Sequence, residues 1–113
     1  MAAFRALMVV IFIVITGYTA VVIADHGMNL LPVFFGDIAV MAWPGQFNVD
    51  FSCFLVLSGL WLAWRHHFSA AGLVLGVFGV FGGALFLSVY LFIVSFSTAD
   101  MKELMLGKVR ATA

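Results

Sequence analysis

A single cysteine, Cys53, rules out an intrachain disulfide, a CxxC redox pair and a thiolate metal cluster. Charge is nearly as scarce. Only 9% of the residues are charged, and Arg5, Arg65, Lys102, Lys108 and Arg110 are balanced by Asp25, Asp37, Asp50, Asp100 and Glu103, so no basic surface for nucleic acid exists. The only two prolines, Pro32 and Pro44, fall in the stretch 25–50, which leaves the rest of the chain free of strong helix breakers. Apolar side chains fill the space: 65% of the 113 residues are hydrophobic, and the mean hydropathy is +1.23. Soluble domains hold roughly 45–50% apolar residues. A chain this apolar could not cover its own core in water, so it reads as one all-α membrane domain whose solvent is lipid.

Three apolar runs are long enough to be considered as transmembrane helices. The first, residues 7–24 (LMVVIFIVITGYTAVVIA), would make about 27 Å of helix, enough for a thin hydrocarbon core. It also has the look of a secretory signal ending in small residues, but a signal's apolar core usually spans only about 7–15 residues, so the segment is read as retained. The second, residues 49–66, starts after Asn48 as a candidate N-cap and ends at Trp61, Trp64 and Arg65-His66-His67, residues favoured at headgroup level. A tight connection at Phe68 and Ser69 leads to the third, residues 70–96, which as a straight rod of about 40 Å must tilt or project beyond the hydrocarbon. The second and third form an antiparallel hairpin.

Two shorter pieces complete the reading. Pro32 suits a first helical turn and Pro44-Gly45 reads as a turn, so residues 31–43 form a short interfacial or re-entrant helix ending at Trp43. Ser97 and Asp100 have capping-box spacing, which predicts an amphipathic tail helix over 98–106 that stops at Gly107.

Gly72, Gly76, Gly79 and Gly83 share one face of the third helix, where a neighbour can approach closely. That neighbour is either another helix of the same chain or a partner, whether a second copy or a larger membrane complex. Asp37 and Asp50 are the candidate functional carboxylates, although Asp50 can also serve the positive end of the second helix and Asp37 can be a solvated interfacial residue. With three spans, His26 lies on the opposite side from His66 and His67, and adjacent histidines point about 100° apart, which argues against a haem or metal site. No nucleophile with a matched base and no phosphate-binding loop is present, so no cofactor and no enzymatic activity are expected.

The run HGMNLLPVFFGDIAVMAWPGQFNVDF followed by two tightly connected apolar helices resembles a family of small bacterial integral membrane proteins described only as a domain of unknown function. In that family an interfacial segment with proline and phenylalanine, here Pro32, Phe34 and Phe35, leads to an acidic residue, here Asp50. The resemblance implies a multi-pass protein of the bacterial inner membrane.

Three functional classes follow. The first is a non-enzymatic protein acting through helix packing, as an accessory subunit of a membrane complex or a self-associating bundle. The second is an oligomeric minimal transporter or channel using Asp37 or Asp50. The third is a haem-binding electron carrier, which needs residues 28–43 to cross the bilayer as a fourth span. Three spans place the termini on opposite faces and divide the basic residues two against three, an undecided count. A fourth span gives a better count but drags Asp37 and Pro32 through hydrocarbon, so three spans are expected.

Overall fold

In the computed structural model, which describes all 113 residues, every regular element is a helix: α1 (Ala2–His26), α2 (Leu30–Val40), α3 (Trp43–Arg65), α4 (Ala70–Ser95), α5 (Met101–Leu106) and α6 (Lys108–Ala111). α1, α3 and α4 are each long and apolar enough to cross a membrane, which is consistent with a membrane protein. Only 15 of the 113 residues are buried, so most apolar side chains face outward, as lipid permits and water does not.

Several local expectations shift. α3 begins at Trp43, not at residue 49: Pro44 sits in its first turn, where a missing N–H costs nothing, so Pro44-Gly45 starts the helix rather than closing the preceding one. The chain turns earlier, at Met41, which adopts a left-handed conformation with φ 61°. Asn48 is therefore inside α3 and is no cap; its Nδ2 donates to the Phe34 carbonyl at 3.0 Å and ties α2 against α3. Gly45 is buried against the Asp37 backbone, so α2 and the start of α3 form a close pair. Asp50, two turns into α3, is too far from its first N–H groups to serve as a cap. At the C-terminal end the capping box is displaced by three residues: Asp100, not Ser97, caps α5, accepting from Glu103 N at 2.9 Å, while the Glu103 carboxylate accepts from Ala99 N.

Between α3 and α4 the left-handed residues His67 (φ 59°) and Phe68 (φ 53°) reverse the chain, and Ser69 Oγ accepts from Gly72 N at 3.1 Å to start α4. The first arm of α4, residues 70–82, runs antiparallel to α3. Its glycines are pressed against that helix: a Cβ on Gly76 would sit 2.8 Å from the Gly59 carbonyl oxygen, one on Gly79 2.6 Å from Leu62 Cδ1, and one on Gly72 2.8 Å from His66 Cβ. The small-residue face is thus occupied within the chain, with Gly59 as the answering residue on α3.

The largest departure comes at Gly83, which has φ 57° and ψ −143°, a conformation open essentially to glycine alone. α4 folds back there. Phe78 and Phe86 stack with ring centroids 5.6 Å apart, whereas eight residues of straight helix would separate them by about 12 Å. Tyr90, which a straight α4 would carry about 30 Å from the α3–α4 connection, instead contacts Arg65 and His66 at that connection. The second arm, residues 84–95, therefore returns parallel to α3. α1 packs along this second arm, with Arg5 bonded to Ser95 and Met8 and Phe12 beside Ser88 and Phe92.

The fold-back corrects the picture of a straight third helix and the placement of the termini. The N-terminal Arg5 meets the end of α4, and the C-terminal Arg110 meets the end of α3 through the Trp64 carbonyl. Both termini lie at one end of the molecule.

Candidate functional site

Five basic residues in a nearly uncharged chain would ordinarily scatter. Here the fold-back gathers all of them, Arg5, Arg65, Lys102, Lys108 and Arg110, at the end holding both termini. Asp25, Asp37 and Asp50 lie toward the other end, since Asp50 is about 22 Å of helix from Arg65 and Asp25 about 30 Å from Arg5.

Arg65 is the centre of the basic end. It closes α3, where a cation favours the helix dipole, and it is only 8% exposed. Nε donates to the Leu104 carbonyl at 2.6 Å, and Nη1 donates to Tyr90 Oη at 3.0 Å. Tyr90 lies 2.6 Å from His66 Nε2. Arg65 can only donate to the Tyr90 oxygen, and with a neutral imidazole unprotonated at Nε2 the Tyr90 hydroxyl donates on to His66. Burial first, and then the charges of Arg65 and His67, hold the His66 pKa below its ordinary value. Trp61 closes the cluster, its ring edge against Tyr90 and its Nε1 donating to the Met105 carbonyl at 3.1 Å. Leu104, fully buried, brings both tail carbonyls into place.

The other arginines are held the same way. Arg5 donates to Ser95 Oγ and Ser95 O, each at 2.9 Å, and lies 4.0 Å over the Phe96 ring. Arg110 donates to the Trp64 carbonyl and lies 3.9 Å over the Trp64 ring. Every guanidinium bond in the protein goes to a neutral group. The two carboxylates of this end, Asp100 and Glu103, are spent on backbone amides of the tail.

At the acidic end, Asp50 is exposed and lines a groove of about 440 Å³ with Gln46, Cys53 and the α2 residues Ile38 and Met41. Asp37 is half-buried on α2 and reaches α3 by its backbone. No group of three or more His, Cys, Asp or Glu side chains converges anywhere. His26 stands at the far end of α1 from His66 and His67. Gly72, Gly76, Gly79 and Gly83 all lie buried toward α3.

Sequence reasoning placed Arg65 at headgroup level and missed its burial. It read the histidines as headgroup contacts, whereas His66 is bonded to Tyr90. The partners come from positions 90 and 104, brought near only by the bend at Gly83. The adjacent glycines Gly82-Gly83, in a run longer than one crossing needs, were the available signal. Comparison of the chain with family profiles, curated proteins and solved structures gives no match.

Proposed function

We propose that this is a non-enzymatic protein of the bacterial inner membrane that acts by helix packing, as an accessory subunit of a membrane complex or a self-associating bundle. In this reading α1 and α3 cross the bilayer and α4 enters and leaves from one side. All five basic residues then share the cytoplasmic face with both termini, the strongest positive-inside distribution the sequence allows.

The observation that carries the packing role is on α1. Residues 17–26 are all exposed, so half of a long helix has almost no neighbour within the chain. That half carries Tyr18, 72% exposed and about 12 Å of helix from His26, with its hydroxyl donating to nothing in the molecule. Polar groups at such depth are answered by a neighbouring helix, because lipid tails offer no acceptor.

A photo-crosslinker placed at Tyr18, on membranes from cells making the full chain, tests the reading. A discrete protein adduct is expected, at twice the chain mass for self-association or larger for a host complex, with no adduct from the same probe at Leu62, a large side chain enclosed within the chain. A chain that stays monomeric and yields lipid adducts alone would refute it. Asp37 and Asp50 gain no support as a transport path: the Ser52, Ser58, Ser88 and Ser95 hydroxyls each bond a carbonyl of their own helix, which leaves no polar route between the ends.

A further inference from the structure

We propose that the basic end is a binding site for the anionic phosphodiester headgroup of a phospholipid, with Arg65 at its centre and Arg110 and Lys108 at its rim. The inference rests on the membrane placement given above.

Arg65 is a buried cation surrounded by neutral oxygens and an imidazole, and burying a charge without an opposite charge is unfavourable. Its Nε and Nη1 are engaged inside the protein, and its Nη2 is not. Arg5 and Arg110 repeat the arrangement: each stacks on an aromatic ring, uses part of its fork on a carbonyl, and keeps at least one terminal amino group free. Guanidinium groups fixed this way are preorganised donors for two oxygens of a phosphate.

Nothing in the chain competes for them. Asp100 and Glu103 bond backbone amides, and the remaining carboxylates are at the far end. Five cations thus face two occupied carboxylates. Trp61 and Trp64 at the same level mark headgroup depth, and the exposed apolar side chain of Met105 on α5 adjoins them. A phosphodiester carried on acyl chains meets both surfaces at once, and basic pockets between helices on the cytoplasmic side are suited to such headgroups.

The test uses the full chain in a neutral detergent, titrated with dioleoyl-phosphatidylglycerol, dioleoyl-phosphatidylcholine or inorganic phosphate, with the thermal midpoint as readout. A saturable rise with phosphatidylglycerol alone is expected, and Arg110→Gln and Lys108→Gln should each weaken the apparent affinity about fivefold. Lys108 makes no side-chain bond in the chain, so Lys108→Gln reads binding alone, whereas Arg110→Gln also removes the bond to Trp64 and is compared at its own lipid-free midpoint; Arg65→Gln, if it folds, should abolish the response. Equal responses to the two lipids, or rim variants that bind phosphatidylglycerol like the parent, would overturn the proposal. Inorganic phosphate alone reproducing the full rise would also overturn it, assigning the site to a free anion. Alkaline carbonate extraction of native membranes separates the two claims: a chain that stays in the pellet yet ignores phosphatidylglycerol fails this inference only, and one that is released fails the membrane reading.

Discussion

Gly83→Ala acts on the one residue that lets α4 turn back. At φ 57°, ψ −143° an alanine is strained by about 1–3 kcal/mol, and its Cβ would meet Leu55 Cδ2 and Phe51 Cζ, each at 3.3 Å, tighter than ordinary contact. The same substitution favours a straight helix by about 0.8–1 kcal/mol, because glycine is the poorer helix former. Together these move the balance between bent and straight α4 by about 2–4 kcal/mol, roughly 30- to 900-fold. The assay is thiol cross-linking of Phe78→Cys with Phe86→Cys on a Cys53→Ser background. The pair should link efficiently in the parent, whose rings are 5.6 Å apart, and lose most of that yield with Gly83→Ala. A second probe reads the tail: single cysteines at Ala2 and Ala113 should label from the same side of the membrane in the parent. Absence of the cross-link in the parent, or opposite-side labelling of the two termini, would refute the fold-back. An unchanged yield and melting midpoint with Gly83→Ala would refute the energetic argument.

Gly76→Ala should lower the thermal midpoint by the equivalent of about 1–3 kcal/mol without changing oligomeric state, because its Cβ meets the Gly59 backbone oxygen of the same chain; Gly79→Leu should cost more. The lowered His66 pKa means that the unfolded chain takes up a proton before the folded one does. Stability should therefore be full above the unfolded value of 6.5 and fall as pH drops from there through the lowered folded value, and His66→Gln should flatten that slope in melts across pH 5–8. Asp37→Asn should leave expression and membrane insertion unchanged, as measured by the amount of chain in washed membranes, since no side-chain bond of Asp37 holds the fold.

The three long helices were legible because uninterrupted apolar runs leave few alternatives, and the short helix before α3 followed from Pro32 and length. The glycine face was legible as a close-packing surface, and Gly59, its counterpart, was not, because a lone glycine carries no periodicity. Pro44-Gly45 misled because proline both ends helices and begins them, and the choice depended on Met41 turning left-handed. The bend at Gly83 was hidden for a similar reason: in one dimension, a glycine that packs and a glycine that reverses the chain look alike. The candidate site suffered most, since Arg65, Tyr90 and Leu104 become neighbours only once that reversal is known. With it, the five basic residues come to one end of the molecule.

The bond from Arg65 to the Leu104 carbonyl spans 39 residues and has a bearing on how the chain is made. When α3 has left the ribosome its terminal guanidinium has neither Tyr90 nor Leu104 to donate to, and it waits through the synthesis of all of α4. The basic end is finished only once Leu104 has been made, so a chain stopped at Ser97 would own every long helix and still leave its central cation without its tail carbonyl. The short tail is the closing stitch of the fold rather than an appendage, and shortening it should mark the protein for degradation before any loss of membrane insertion.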